Sequence, residues 1–144
     1  MIYDLAIIGG GAAGLTAAIY AARYRLNTIL FAEDFGQISK APLVENWPGT
    51  EDITGLDLVM KFRTHANNLG VHAKTIEIAS TEKTKIGFKL TSKEGEIFEA
   101  KAIILAMGAS HRTLNVQDEE KYVGRGVSYC STCDAPMFKD KTVA

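Results

Sequence analysis

Cys130-Ser131-Thr132-Cys133-Asp134 holds the residue types and spacing that most directly imply chemistry, its second cysteine eleven residues before the last residue, Ala144. These are the only two cysteines among 144 residues, so neither sulfur has another partner in the chain. At this spacing they can close a small reducible ring. The direction of such a couple depends on thiolate stability and on the potential of its partner. Asp134 follows at once. Ionised, it opposes a neighbouring thiolate; partly protonated, it can hand a proton to a leaving thiolate as a general acid. Pro136 and Lys139 leave room for at most a short helix after the pair, so a helix dipole contributes little to thiol acidity. Two other readings stand beside redox chemistry: half a zinc site, or two buried inert cysteines. Tetrahedral zinc needs four ligands, and His65, His72 and His111 are scattered, with none at paired spacing. The redox reading is favoured.

A dithiol needs an electron source, and the start of the chain offers a nucleotide-binding turn. Leu5-Ala6-Ile7-Ile8 is an apolar run of the kind found in strands buried on both faces, and it ends in Gly9-Gly10-Gly11. Residues 12–23 are rich in good helix formers, and Thr28-Ile29-Leu30-Phe31 is a second buried strand. The three form a β-α-β unit, whose parallel strands require a right-handed crossover. Gly9-x-Gly11-x-x-Gly14 thus sits between a strand and a helix, the context in which this pattern binds dinucleotides. Gly9 permits the tight turn, Gly11 lets the backbone approach a pyrophosphate, and Gly14 lets helix pack on strand. Free amides at the helix start, over Gly11, Ala12 and Ala13, favour the phosphate charge. Glu33, 19 residues after Gly14, ends the second strand, where a carboxylate accepts from ribose hydroxyls. That acid disfavours a 2′-phosphate, so NADP is not expected at this turn. The pattern alone does not separate FAD from NAD, and a ligand-free packing motif is the alternative.

The remaining elements must position these two groups. Residues 34–53 hold Gly36, Pro42, Pro48 and Gly49 without lasting periodicity and read as a long loop, which in a compact domain is usually functional. A helix is expected from Thr54 to Leu69, with Thr54 as N-cap and Gly70 as C-cap. From Val71 to Glu99 the period falls to two, and Lys93-Glu94-Gly95-Glu96 supplies a tight turn, which predicts an inserted antiparallel meander. Ala102-Ile103-Ile104-Leu105-Ala106 returns to an unbroken apolar strand ending at Gly108. A polar segment over 109–126 leads to the cysteines, and Lys141-Thr142-Val143-Ala144 looks like the opening of another strand. The fold class expected is α/β: a Rossmann-like dinucleotide-binding domain over 1–112, then a linker and the start of a second domain over 113–144. His65 reads as a helix-surface residue, His111 and Arg112 as a solvated loop with an approach to a phosphate or a partner as the alternative, and Trp47 as a buried loop anchor or a contact to a cofactor or a partner. Asp118-Glu119-Glu120 reads as a solvated helix start.

Composition narrows the class. The chain is 47% apolar and 23% charged with a net charge of −1, and its mean hydropathy is +0.01. That is the profile of a soluble globular protein. A nucleic-acid binder would need a basic face, which this balance does not supply. No apolar run reaches the roughly 18 residues that span a bilayer. The N-terminus lacks a basic segment followed by an apolar one and a cleavage site, so a cytoplasmic location is expected.

Together these residues resemble the low-molecular-weight thioredoxin reductases, FAD-containing pyridine-nucleotide disulfide oxidoreductases. The likeness is carried by Gly9 to Gly14, Phe35-Gly36-Gln37, Val44-Glu45-Asn46-Trp47-Pro48-Gly49, Ala106-Met107-Gly108-Ala109 and Cys130 to Asp134, five motifs in the family's order. The resemblance implies that the glycine turn and Glu33 hold the ADP half of FAD, and that the segment around Gly36, Gln37 and Asn46 lies along the flavin ring. It implies that the strand end from Ala106 to Gly108 closes over the cofactor. Cys133 would face the flavin, Cys130 would exchange with the partner disulfide, and Asp134 would be the acid. Electrons would pass from NADPH to FAD, to the cysteines, and on to thioredoxin or a similar dithiol protein, in a homodimer when full length. A related reductase serving a peroxide-system carrier, and a non-catalytic dinucleotide-binding module, are the alternatives. The chain departs from the family's pattern in lacking a second glycine beside Gly36, in Met107 where threonine is common, and in Ala135 where glycine is frequent. The likeness covers the first half of such an enzyme, so the NADPH site is expected in a domain beyond these residues and this segment alone is expected to be inactive.

Overall fold

The computed structural model describes residues 1–143, which divide into two compact units, Met1–Gly108 and the segment from Ala109 onward. In the first unit, β1 (Ile2–Ile8), α1 (Ala12–Arg23) and β2 (Thr28–Phe31) form the expected β-α-β unit. Next come a 3-10 turn (Gln37–Lys40), α2 (Gly55–Asn68), β3 (Ala73–Lys74), β4 (Ile78–Lys83), β5 (Phe88–Ser92) and β6 (Ile97–Leu105). Among the described residues, six strands make one sheet in the order β3-β2-β1-β6-β5-β4. β1 runs parallel to both β2 and β6, whereas β4, β5 and β6 are antiparallel neighbours.

β1 reads as a nearly unbroken apolar run because both its faces are covered. Leu5 and Ile7 pack with Leu30 against Leu15, Ala18 and Ala21 of α1 and Val59 and Ala66 of α2. Ala6, Ile8, Ile29 and Phe31 share a second cluster with Leu90 of β5 and Ala100 of β6, where the Phe31 and Phe98 rings meet edge-on at 4.8 Å. The meander therefore serves as the lid of the second face, as the helices do for the first.

α2 starts where expected. The Thr54 hydroxyl accepts from the Asp57 amide at 3.1 Å and donates to the Asp57 carboxylate at 2.6 Å. This cap satisfies one of the orphan donors of the first turn. Gly70, at φ +89°, follows the helix end.

Three expectations change. The meander's third strand and the strand expected from Ala102 are one element: β6 pairs with β5 through Ile97–Ala100 and with β1 through Glu99–Leu105. Polar Glu99 and Lys101 break the apolar run but not the backbone ladder, which depends on main-chain groups alone. Ala73 and Lys74 lie beside β2 in parallel rather than in the meander. Residues 34–53 are more ordered than their composition suggests, because Val44 and Ile53 exchange backbone hydrogen bonds of 2.8 and 3.3 Å and pack on Leu58.

In the second unit, α3 (Glu119–Tyr122), α4 (Ser131–Asp134) and a 3-10 turn (Ala135–Phe138) are short elements joined by turns. Glu119 is buried, unlike the solvated acid expected, and its carboxylate accepts from the Leu114 amide at 3.0 Å and the Val116 amide at 3.4 Å. Lys141–Val143 form no strand, and Ala144 lies outside the described residues.

Candidate functional site

The glycine turn joins the ends of β1 and β6 to the start of α1. Gly9 has φ +116°, a conformation that a side chain disfavours, and a methyl group there would overlap the Ala106 carbonyl. A methyl at Gly14 would overlap the Gly9 carbonyl oxygen and approach the Ala106 Cβ at 3.5 Å. Gly9, Gly14 and Ala106 thus form one close-packed joint, tightened by the Ala106 amide, which donates to the Ile8 carbonyl at 2.8 Å. Gly10 belongs to the same construction, since a methyl there would overlap Ala32 just past β2. Only its place in the three-glycine run marked it in the sequence.

Gly11 differs. A methyl there would meet only the Gly36 Cα, at 3.8 Å, so open space lies before the helix. Gly11 is the N-cap of α1, with no side chain capping the helix and no acid in the first turn. The first amides of an α-helix lack intrahelical acceptors, so those at Ala12 and Ala13 make a positive helix end suited to an anion. In its charge this helix end suits an anion such as a pyrophosphate.

Gly36, at φ +73°, approaches Gly11 so closely that a methyl on it would come within 2.9 Å of the Gly11 Cα. Its amide donates to the Asp34 carboxylate at 2.9 Å, and the Ser39 hydroxyl donates to its carbonyl at 2.7 Å. This network holds the segment bearing Gln37 beside the glycine turn. Arg63 of α2 lies 5.2 Å over the Phe35 ring and steadies it further. Glu33 is exposed at the end of β2. Lys93 has its pKa raised, first by a hydrogen bond from its ammonium to Glu77 and also by the charges of Glu33 and Glu94. Asn46 is exposed on the loop closed by Val44 and Ile53, and the neighbouring Trp47 tilts onto Phe62 at 5.0 Å. Gly108, at φ +73°, is exposed two residues beyond Ala106.

In the second unit Cys130 and Cys133 form a disulfide, with their Cα atoms 5.2 Å apart. Both are exposed and Asp134 is half-buried. The Cys133 amide donates to the Cys130 sulfur at 3.2 Å and the Asp134 amide to the Cys130 carbonyl at 3.0 Å. Among the described residues no group of three or more metal-ligating side chains converges, and the exposed ring is not two buried inert cysteines.

The glycine joint with its open helix start belongs to the first unit and the accessible disulfide to the second. The sequence model for pyridine nucleotide-disulphide oxidoreductases matches residues 3–143. The chain belongs to that family. It is 40% identical to a thioredoxin reductase of Listeria monocytogenes over 142 residues, 97% of this chain and 44% of that protein. It is 37% identical to a component of the alkyl hydroperoxide reductase of Staphylococcus aureus over 144 residues, 99% of this chain and 28% of that one. The solved thioredoxin reductase of Streptococcus pyogenes superposes with a TM-score of 0.84 at 37% identity, over 95% of this chain and 45% of that one. The chain therefore spans less than half the length of these relatives. The mixed α/β sheet is that of the Rossmann-like fold its structural neighbours share.

Proposed function

We propose that this chain is the flavin-binding and dithiol-bearing part of a disulfide reductase that takes electrons from NADPH and delivers them to thioredoxin or a similar dithiol protein. The observation that carries the reading is the combination of the open cradle at Gly11 with a surface disulfide at Cys130 and Cys133. FAD, when bound, supplies the hydride-to-dithiol electron transfer. The chain's own residues do the rest. The amides at Gly11, Ala12, Ala13 and Gly14 bind the pyrophosphate, and Glu33 takes the ribose hydroxyls. Gly36, Gln37, Asn46, Ala106 and Gly108 border the ring system.

In the reduced protein Cys130 attacks a disulfide of the partner. A bond forms between the Cys130 sulfur and one partner sulfur while the other partner sulfur leaves as a thiolate. Cys133 then attacks the Cys130 sulfur, restores the ring and releases the second partner thiolate. Asp134 supplies a proton to a leaving thiolate. The second unit begins the nicotinamide-nucleotide domain, and the complete protein is a cytoplasmic homodimer. The likeness to an alkyl hydroperoxide reductase component favours a second reading, in which the same dithiol serves a peroxide-system carrier.

Purified protein carrying this chain is expected to be yellow, to bleach on addition of NADPH, and to turn over oxidised thioredoxin. Colourless, flavin-free protein with an intact fold would overturn the proposal. Turnover with a peroxide-system carrier and none with thioredoxin would select the second reading.

A further inference from the structure

Tyr129 is bonded directly to Cys130, and the redox chemistry above gives it no role. Its ring stacks on His111 with centroids 3.8 Å apart and planes 20° from parallel. Its hydroxyl is buried and finds no hydrogen-bond partner among the described residues. An unmatched buried hydroxyl costs stability, where phenylalanine would fill the same space without that cost. The two rings border a cleft of about 590 Å³, also lined by Thr113, Val116, Glu120 and Val123. Cys130, next to Tyr129 in the chain, is an exposed residue, and so is His111.

We propose that this cleft receives the main chain of the dithiol partner next to its own cysteine. The His111 ring swings aside, and the Tyr129 hydroxyl donates to a partner carbonyl. The inference rests on the proposed exchange at Cys130. In the mixed disulfide the partner's cysteine Cα lies about 5.5–6 Å from that of Cys130, and the Cα of Tyr129 is about 3.8 Å from Cys130's. Partner backbone is therefore brought alongside the tyrosine as a consequence of the bond itself. The unmatched hydroxyl then acquires in the complex the acceptor it lacks in the free protein, so its cost becomes selectivity for a polypeptide over a small disulfide.

The test uses flavin-loaded protein with Cys133→Ser, which leaves Cys130 as the one attacking thiol, and reads the initial rate of exchange. Two probes are compared, oxidised thioredoxin and the small aromatic disulfide 5,5′-dithiobis(2-nitrobenzoate). Tyr129→Phe is expected to slow the reaction with thioredoxin by about fivefold, the weight of one net hydrogen bond, and to leave the small disulfide's rate unchanged. With both cysteines present, the same substitution should raise KM for thioredoxin with little change in kcat. Equal rates with both probes, or an equal fall with both, would overturn the inference, because a ring that only positions Cys130 affects both alike. Cys130 unreactive toward either probe would overturn the redox reading itself, and this inference with it.

Discussion

At the scale of single residues, the glycines of the turn have different duties. Gly9, Gly10 and Gly14 are excluded from carrying a side chain by neighbouring main chain or by Ala32, whereas Gly11 has room for one. Gly14→Ala is expected to destabilise the first unit by about 1–3 kcal/mol, as overpacking does, with a lowered melting temperature and loss of flavin together. Gly11→Ala should leave the stability within about a few tenths of a kcal/mol of the parent, the cost of losing a glycine N-cap being small. Yet its methyl occupies the space a pyrophosphate would need, so flavin content should fall sharply. Thermal melts of flavin-free protein beside flavin absorbance of loaded protein separate the two effects. Gly11→Ala with full flavin content would remove the cradle from the site. The G-x-G-x-x-G spacing assigns the turn to Gly9, the backbone approach to Gly11 and the packing contact to Gly14; the distances to β6 and to Gly36 come from the tertiary structure.

At the scale of elements, local signals placed the helices well and the strands less well. Thr54, its helical apolar spacing and Gly70 all act within a few residues, so α2 was legible. Its cap gives a direct test: Thr54→Ala should cost about 1 kcal/mol, read as a lower melting temperature, whereas an unchanged melt would mean the hydroxyl is replaceable by water. β6 was legible only in pieces. Its first half alternates like a meander strand because one face is wet, and its second half is apolar as it enters the parallel sheet. Where a strand changes neighbours partway along, its periodicity changes with them. Glu119 was misread for a related reason. Three consecutive acids look solvated, but one carboxylate is taken inward by the amides of Leu114 and Val116. Glu119→Gln is expected to weaken the second unit by about 1–3 kcal/mol, seen as faster amide exchange at those two positions, and unchanged exchange would show the contact to be idle.

At the scale of the molecule, the chain divides its labour between two units. The first holds no cysteine and draws its core from β1, β2, β6 and the two long helices, so its order does not depend on the disulfide. Dithiothreitol should leave slow hydrogen exchange in β1 and β2 intact. In the second unit exchange should quicken around residues 128–138, since a ring this short contributes about 2 kcal/mol. Loss of protection in β1 on reduction would show the units to be coupled through the disulfide. The sequence by itself determined where the candidate chemistry lies: two isolated cysteines at close spacing, a glycine turn between strand and helix, and an acid closing the second strand. Those are local facts, set by residue type and by the period of nearby side chains. Tertiary structure alone decided that β6 serves both the parallel sheet and the meander, that Gly36 closes on Gly11, and that His111 stacks on Tyr129. Each of these joins residues distant in the chain, and no local pattern encodes which distant surface a side chain will meet.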